Sequence, residues 1–449
     1  MTQTTFTNEN LTGIRQRLNT ANAAFADQYP GERPDRQPVH TVYGGAHIFK
    51  ASTAGKLGQL ALRSMSTYAP DAASFADALG IPAHLAEAVY GRVKEKLERE
   101  AVEDFRIDFE DGYGNRPDAE EDAQAVTAAT EVAKGMKEGT LPPFIGIRIK
   151  PLTEELAVRS IRTLDIFVTT LAELTGGKLP ENFVVTLPKV SIAAQVTAAV
   201  ELFEVLEQQT QLSAGALKME IMIETTQAIV GPDGKVALTS LVQAAQGRCT
   251  GCHFGTYDYT ASCSITAAYQ KMDHPACDFA TQMMQVALGQ TGVWMSDGAT
   301  VVMPVGPHRA AKDGPPLTDA QKSENTEVVH RTWKQAYDHN MHSLTRGIYQ
   351  GWDLHPGQLP IRYAAVFTFF LESLDAASAR LKNFVDKAAQ ATLIGDTFDD
   401  AATGQGLLNY FLRALNSGAI TMAEVADTGL SMEELQSRSF VKILDGRAG

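Results

Sequence analysis

The sequence has no uninterrupted apolar run near the roughly 20 residues that a membrane-spanning helix requires. Its opening, MTQTTFTNENLTGIRQRL, is polar and lacks the charged and apolar regions of a secretory signal. No cluster of Lys and Arg interrupts a formal net charge of −14. Nucleic acids and anionic membranes are bound through concentrated basic surfaces. We therefore expect a cytoplasmic protein that binds neither nucleic acid nor membrane.

Cysteine is scarce, with four residues in a chain of 449. That number is too small for a disulfide scaffold. Cys249 and Cys252 form a C-x-x-C pair, which begins many zinc sites, but Cys263 and Cys277 do not form a second close pair. We expect reduced, partly buried thiols. The phosphate-binding patterns GxGxxG and GxxxxGK[ST] are also absent, so no motif indicates a bound nucleotide.

Short β-rich runs alternate along the chain with longer helical stretches, as in parallel βα units. Eight runs qualify as strands, at residues 42–49, 105–109, 144–149, 183–187, 219–223, 252–255, 300–304 and 350–354. This pattern predicts an α/β fold, a (β/α)₈ TIM barrel with helical insertions and a small C-terminal helical tail. One long insertion helix should begin after Thr318, a suitable N-cap, and end near Arg346.

Three regions follow from this pattern. Residues 1–39 are expected to form an N-terminal helical extension, residues 40–390 the TIM barrel catalytic domain, and residues 391–449 a C-terminal helical tail. The tail either covers the barrel mouth or builds a subunit interface, and we expect a homo-oligomer.

Charged or polar residues follow most of the predicted strands. They are Asp108, Glu110 and Asp111 at strand two, Arg148 at strand three, Lys189 at strand four, Glu224 at strand five, Asp258 at strand six and His355 at strand eight. The carboxyl ends of the strands form the catalytic face of this type of barrel. We therefore interpret these eight residues as one candidate active site.

Glu224 and Asp258 each follow an apolar strand directly. Because neighbouring strands lie about 4.8 Å apart, two carboxylates at their ends are able to share one cation. A few hard oxygen ligands, completed by water and substrate, are typical of Mg²⁺ or Mn²⁺. The alternative is a pair of solvated loop acids. The topology favours the metal site.

Arg148 lies among apolar strand residues, where a guanidinium requires an anionic partner. The partner is either a substrate carboxylate or enolate oxygen, or an internal ion pair with Asp108 or Glu110, and both interpretations are compatible. Asp108 and Glu110 are candidates for orienting Arg148 and contacting substrate. Lys189 is a further candidate substrate-binding residue, and it is interpreted as an electrostatic or structural lysine in preference to a Schiff-base lysine.

The candidates for proton transfer are Asp111, His355, a metal-bound water and a residue of the C-terminal tail. Asp111 stands at the strand mouth, and nearby positive charge should lower its pKa, which makes it a weak base. His355 is the second candidate, with a buried structural hydrogen bond as the alternative.

Six segments together resemble a known family. They are IDFED at 107–111, IRIKP around Arg148, LPKV at 187–190, MIETTQAI around Glu224, FGTYDYTAS around Asp258 and GWDLHPGQ at 351–358. In the same order they are similar to the DLED, VRIN, lPKv, iEt, fGxeDla and GkxxIHPxQ segments of citrate lyase β-subunits and malyl-CoA lyases. The wider superfamily also holds malate synthases and divalent-metal hydroxy-oxo-acid aldolases. Tyr257 and Tyr259 beside Asp258 resemble the malate synthase pattern GRWDYi.

The resemblance implies Mg²⁺ or Mn²⁺ on Glu224 and Asp258, with Arg148 stabilising an enolate. Two departures limit it. The aldolases have a histidine base where Asp111 stands, and the C-terminal catalytic aspartate of malate synthases has no counterpart motif here. The binding site for CoA is not transferable either, so a CoA-thioester substrate has no motif to support it.

The lead hypothesis is therefore an enzyme, a metal-dependent carbon–carbon lyase or aldolase that acts on a small hydroxy acid or 2-oxo acid through an enolate. The alternative is a malate-synthase-like Claisen condensation of an acyl-thioester with glyoxylate or another 2-oxo acid, and dependence on CoA separates the two. A third hypothesis is a non-catalytic 2-oxo-acid sensor. A phosphotransferase acting on phosphoenolpyruvate is a fourth, without a phosphohistidine or nucleotide motif to favour it.

Overall fold

Eight parallel strands form the centre of the protein in a computed structural model. The model describes residues 5, 6, 8–33, 35–311, 314–386, 392–394, 397–399, 401–426, 428–436 and 443. The strands are β1 (His40–Gly45), β2 (Asp104–Asp108), β3 (Phe144–Arg148), β4 (Phe183–Leu187), β5 (Lys218–Ile223), β6 (Cys249–Phe254), β7 (Trp294–Ser296) and β8 (Gly351–Asp353). A separate antiparallel pair consists of β9 (Thr392–Ile394) and β10 (Thr397–Asp399).

The eight strands follow the order β7-β6-β5-β4-β3-β2-β1-β8. A parallel bridge between Ala299 and Trp352 brings the segment after β7 beside β8, so the sheet is nearly closed. The predicted α/β fold, a (β/α)₈ barrel, is confirmed.

The helices lie on the chain before, between and after the strands. They are α1 (Asn8–Gln28), α2 (Thr53–Tyr68), α3 (Ala72–Leu79), α4 (Ala86–Glu100), α5 (Asp118–Glu138), α6 (Ala157–Thr175), α7 (Ala193–Thr210), α8 (Thr226–Ile229), α9 (Leu238–Ala244), α10 (Thr256–Ser262), α11 (Pro275–Leu288), α12 (Asp319–Thr345), α13 (Leu359–Asp386), α14 (Ala401–Ser417), α15 (Met422–Ala426) and α16 (Met432–Gln436). Part of the predicted tail, at 391, 395–396, 400, 427, 437–442 and 444–449, lies outside the described residues. The three-region division stays a prediction.

The long insertion helix begins where the sequence predicts. Thr318 is the N-cap of α12, and its hydroxyl accepts a hydrogen bond from the Gln321 backbone N–H at 3.3 Å. The Gln321 side chain returns the contact by accepting from the Thr318 backbone N–H at 3.0 Å. This reciprocal capping box satisfies two N–H groups that a helix start leaves open. Arg346 is the C-cap, as expected.

Two strand predictions are wrong in position. Strand β1 ends at Gly45, because the next three residues form a 3₁₀ helix. Strand β7 is Trp294–Ser296 and not 300–304, and it pairs with β6 through Met295↔Cys252. The apolar run at 300–304 is not a barrel strand, and Val301 and Val302 remain 43% and 44% exposed. The sequence predicted a strand at 300–304 because the run is apolar, but this run lies outside the sheet.

The cysteine prediction is confirmed, because all four thiols are free. Among the described residues, no helix combines the length and low polarity that crossing a bilayer demands.

The barrel interior contains charged side chains below its mouth. Arg106 is fully buried and contacts Asp104 at 2.7 Å and Glu220 at 2.6 Å. His253 contacts the same Glu220 carboxylate at 2.8 Å. Gly146 makes room for this layer, because a Cβ there would lie 2.7 Å from an Arg106 nitrogen. Buried charges of this kind persist only when they are paired.

Candidate active site

A cavity of about 340 Å³ opens at the carboxyl ends of the barrel strands. Five of the eight residues singled out from the sequence line it: Asp108, Asp111, Arg148, Glu224 and Asp258. The remaining lining residues are Tyr43, Gly112, Gly255, Thr256, Tyr257, Ala299, Trp352 and Leu354. The catalytic face expected for this fold therefore holds most of the predicted residues together.

Arg148 on β3 is paired at two points with Asp108 on the neighbouring strand β2. Its Nε donates to Asp108 Oδ1 at 2.7 Å, and its Nη2 donates to Asp108 Oδ2 at 2.5 Å. The same carboxylate accepts from the backbone N–H groups of Glu110, at 2.9 Å, and Gly112, at 2.7 Å. A Cβ at Gly112 would lie 2.6 Å from Asp108 Oδ2, so glycine permits this approach. The internal ion pair considered from the sequence is present.

The third nitrogen of the Arg148 guanidinium, Nη1, has neighbours other than Asp108. Its Nη1 lies 3.1 Å from Glu110 Oε2 and 3.6 Å from Met222 Sδ. The guanidinium also stands 4.8 Å from the centre of the Tyr43 ring, within cation–π range. Asp108 thus occupies the two-point face of the guanidinium, whereas Nη1 lies beside Glu110 and Met222.

Lys189 connects the acidic residues from β4. Its backbone N–H donates to Glu224 Oε1 at 2.6 Å, with the backbone in the left-handed region at a φ of 51°. Its Nζ donates to Glu110 and lies 3.3 Å from both Asp111 Oδ2 and Asp258 Oδ2. Burial lowers the pKa of Lys189, but the surrounding carboxylates raise it further, and the result is a raised pKa. A permanently protonated amine does not form a Schiff base, which agrees with the structural interpretation.

Glu224 follows β5 and is buried, whereas Asp258 lies in the first turn of α10 and is partly exposed. Gly255 packs against Glu224, because a Cβ at that position would lie 2.6 Å from Glu224 Oε2. Burial, together with the negative charge of Asp258, raises the pKa of Glu224 to about 8, against the opposing effect of Lys189. Two carboxylates on neighbouring strand ends thus interact electrostatically across the cavity.

The two remaining acids differ in the direction of their pKa shifts. Burial raises the pKa of Glu110 in spite of the nearby charges of Arg148 and Lys189. Burial also acts on Asp111, but Lys189 and Arg148 outweigh it and lower its pKa. The sequence analysis expected this depressed pKa for Asp111. The Asp111 carboxylate is therefore ionised at neutral pH.

His355 does not join this group. Its Nδ1 accepts a hydrogen bond from the Gly357 backbone N–H at 3.0 Å, so it caps the short 3₁₀ helix Pro356–Gln358. Burial lowers its pKa. Within the described part of the chain, neither a hydrogen bond nor an ion pair links His355 to the acidic residues of the cavity. The structural alternative considered for His355 is thus present, and its catalytic role stays a prediction.

The aromatic residues Tyr43 and Trp352 line the cavity but were not predicted as site residues from the sequence. They lie on neighbouring strands β1 and β8, and their ring centres are 4.7 Å apart. Their signal was available, since each lies within a predicted strand, Tyr43 in 42–49 and Trp352 in 350–354. They were not predicted because the site prediction was based on charged and polar residues that follow the strands.

By its fold the chain is a (β/α)₈ barrel protein. By its sequence it belongs to the family DUF6986, described as a domain of unknown function. Residues 18–443 match that family. No curated protein matches the sequence.

The solved structures that resemble this one include a citrate lyase from Burkholderia xenovorans LB400. It has a TM-score of 0.57 and 16% sequence identity, and the match covers 89% of this chain and 100% of the other. At that identity the likeness establishes the fold alone. A malate synthase from Haloferax volcanii, solved with glyoxylate, gives a TM-score of 0.47 at 15% identity, over 89% of this chain and 99% of the other. That likeness is too low to add to the argument.

Proposed function

We propose that this protein is a divalent-metal-dependent carbon–carbon lyase of the aldolase type. Its substrate is a small hydroxy acid or 2-oxo acid, and the reaction proceeds through an enolate. The observation that carries the proposal is the pairing of Glu224 and Asp258 on neighbouring strand ends in one cavity with Arg148. Two carboxylates beside a cationic group suit a substrate that brings its own carboxylate and carbonyl oxygen.

The residues present fit a divalent cation of the Mg²⁺ or Mn²⁺ type. Five acids meet at the mouth (Asp108, Glu110, Asp111, Glu224 and Asp258) against two basic side chains, Arg148 and Lys189. If all are ionised, the local charge is two positive minus five negative, which leaves about three negative charges for a cation to offset. The pKa of Glu224 is raised chiefly by burial, and the negative charge of Asp258 raises it further.

The proposal assigns two carboxylate side chains to the cation. No cluster of three or more His, Cys, Asp or Glu side chains suited to a metal is found within the described residues. The pair Glu224 and Asp258 offers two hard oxygen ligands, and water and substrate are expected to complete the octahedron around Mg²⁺. A site with open positions is what a catalytic ion requires, in contrast to a closed structural site.

When bound, the cation would supply Lewis-acid polarisation of the 2-oxo group. The chain's own residues then have separate tasks. Arg148 Nη1 stabilises negative charge that develops on a substrate oxygen. Asp108 fixes the plane of that guanidinium through its two-point pair. The backbone N–H of Lys189 orients the Glu224 carboxylate, and its ammonium group offsets the charge of the acids.

The proposed cleavage balances as a retro-aldol reaction. The hydroxyl proton of the substrate leaves to a base, and the oxygen becomes a carbonyl as the carbon–carbon bond breaks. The bonding electrons pass to the 2-oxo acid fragment as its enolate, which is then protonated on carbon. The ionised Asp111 is able to accept a proton in this reaction, but its lowered pKa makes it a weak base and a poor donor, so we expect a second group to share the transfer.

A direct assay tests the proposal. The purified protein is incubated with Mg²⁺ or Mn²⁺, one 2-oxo acid (pyruvate, glyoxylate or oxaloacetate) and a panel of aldehydes, and NMR follows the products. We expect condensation with at least one combination, loss of turnover in EDTA and recovery when the cation is restored. Turnover in EDTA would remove the metal-dependent mechanism. Strict dependence on an acyl-thioester would replace the lyase by the Claisen condensation.

A further inference from the structure

The cavity has one side that is uncharged. It is formed by five residues of β1, β8, α10 and the segments after β7 and β8, which are Tyr43, Tyr257, Ala299, Trp352 and Leu354. The rings of Tyr43 and Trp352 lie 4.7 Å apart at an angle of 32°. We call these five residues the aromatic wall.

The polar atoms of the aromatic wall are buried or are already used. The Tyr43 hydroxyl and the Trp352 indole nitrogen are buried and have no hydrogen-bond partner within the described residues. The charges of Arg106, in the layer below the mouth, and of Arg148 act on the Tyr43 hydroxyl. The Tyr257 hydroxyl donates to the Ala299 backbone oxygen at 2.8 Å. What the wall offers to a ligand is therefore apolar surface, which contributes affinity only when apolar groups are buried against it.

The charged residues stand on the remaining strands, β2 to β6. In an eight-stranded barrel β5 stands opposite β1, so Glu224 faces Tyr43 across the mouth. Among the lining residues the one basic side chain is Arg148, and Asp108 already holds it at two points. Lys189 nearby contacts Glu110, Asp111 and Asp258. Arg309 acts electrostatically on His355, next to the wall residue Leu354, but it is not among the lining residues. The lining itself thus offers no uncommitted cation to a second anionic group of a ligand.

We propose that the aromatic wall selects substrates whose second part is apolar. The site would accept a 2-oxo acid, or a hydroxy acid that yields one, with a single carboxylate and an alkyl or aryl substituent, and it would reject dicarboxylates of the same size. This inference rests on the proposed function, because it assumes that the 2-oxo acid group lies at Glu224 and Asp258. It distinguishes this chain from an enzyme for a polycarboxylate substrate.

The physical reason is the cost of an unpaired carboxylate. A second carboxylate against the wall would lose its hydration without gaining a cation from the lining. An isobutyl or isopropyl group of equal shape would instead bury apolar surface, and each buried methylene is worth about 0.8 kcal/mol, or about fourfold in affinity. The two ligands should therefore differ in affinity, because one carries a second charge and the other an apolar group.

A pair of isosteric ligands tests this inference. 5-Methyl-2-oxohexanoate and 2-oxoglutarate have the same chain and shape, and differ in carrying two terminal methyl groups or two carboxylate oxygens. Isothermal titration in the presence of Mg²⁺ should show the branched acid binding at least about tenfold more tightly. It should also change the fluorescence of the wild-type protein, and this change should disappear in Trp352→Phe. Equal affinities, or tighter binding of 2-oxoglutarate, would overturn the inference.

A charge added to the wall provides a second test. Leu354→Arg places a guanidinium at the wall and should improve 2-oxoglutarate binding at least about tenfold while weakening the branched acid. Leu354→Met, of similar volume and without charge, is the matched control and should keep the wild-type order. Leu354→Lys replaces the arginine variant if circular dichroism shows that the latter does not fold. An unchanged order in a folded cationic variant would contradict the proposal.

Pyruvate separates the two possible failures. It carries the 2-oxo acid group without a substituent to contact the wall. If pyruvate and both isosteres fail to bind with Mg²⁺, the proposed function and the inference fail together. If pyruvate binds and the isosteres do not differ, the proposed function stands and the inference alone is overturned.

Discussion

Arg148 and Asp108 form a two-point ion pair across strands β3 and β2, with N–O distances of 2.7 and 2.5 Å. Both side chains are almost fully buried. An ion pair in that environment is stable only if the geometry is good and the remaining hydrogen-bond groups are satisfied. Asp108 meets this condition through two further backbone donors. The pair therefore fixes the orientation of the guanidinium, and Nη1, which lies 3.1 Å from Glu110 Oε2, is the nitrogen that we assign to the substrate oxygen.

The first prediction concerns the guanidinium. Arg148→Lys keeps the charge but is not able to contact Asp108 and a substrate oxygen in the same plane. We expect turnover to fall by about 100- to 1,000-fold. The loss should appear mainly in kcat if Arg148 stabilises the enolate and mainly in KM if it anchors the substrate carboxylate. A variant within a few-fold of the wild type on both constants would leave Arg148 with a structural role alone.

The second prediction concerns the partner. Asp108→Asn leaves the buried Arg148 without its counter-charge, and breaking such a pair from one side costs about 3–5 kcal/mol. Urea unfolding should show this loss of stability, and kcat should fall as well. Asp319→Asn is the matched control, because Asp319 pairs with Lys322 at 2.9 Å on the exposed start of α12. Exposed pairs are worth about 0–1 kcal/mol. Equal losses in the two variants would contradict the account of Arg148.

The third prediction concerns proton transfer. Because the pKa of Asp111 is lowered by Lys189 and Arg148, it is a weak base, and we expect it to share the work with another group. His355 remains the second candidate, although its Nδ1 already accepts from Gly357. The measurement is exchange of the pyruvate methyl protons in D₂O, followed by NMR. Asp111→Asn should slow exchange without stopping it. Complete loss in Asp111→Asn, with His355→Ala unaffected, would make Asp111 the sole base.

The fourth prediction concerns the charged layer below the site. Although burial opposes ionisation, Arg106 and His253 lower the pKa of Glu220 to about 2. The unfolded carboxyl titrates near pH 4.5, so the unfolded chain binds more protons between pH 4.5 and 2. The stabilisation from Glu220 is therefore complete above about pH 4.5 and is lost as the pH falls towards 2.

Glu220→Gln tests this dependence. At pH 7 the variant should be less stable than the wild type by about 3–5 kcal/mol in urea unfolding, because Arg106 loses a counter-charge. The difference should become smaller as the pH is lowered below 4.5. Glu201→Gln on the exposed face of α7 is the control and should have little effect at any pH. A difference that grows in acid would contradict the assigned direction of the pKa shift.

Much of the barrel was predictable because its strands are apolar runs that end in charge. Strands β2 to β5 lie where the sequence places them within one residue, and β6 begins three residues earlier. Strand β7 was missed because it has three residues and leads into the polar Asp297. Its identity depends on pairing with β6, which no local pattern encodes. The site residues on β2 to β6 were found for the same reason as the strands.

Other parts of the site depend on tertiary structure. The Lys189 backbone contact to Glu224 requires a left-handed φ, which the sequence LPKV does not predict. The aromatic wall is assembled from β1, β8 and the segments after β6 and β7, which are far apart in the sequence. Arg106 and Glu220 did carry a signal, since each is a charged residue inside an apolar strand. Their pairing across the barrel was not deducible from either strand alone.

The fifth prediction is the most direct test of the central claim that Glu224 and Asp258 hold a divalent cation. Mn²⁺ is titrated into the protein and free Mn²⁺ is measured by electron paramagnetic resonance. The wild type and the exposed control Glu201→Gln should each bind one Mn²⁺ per chain, and Mg²⁺ should compete. Glu224→Gln and Asp258→Asn should lose this binding while keeping the wild-type circular dichroism spectrum. Undiminished Mn²⁺ binding in either folded variant would contradict the account.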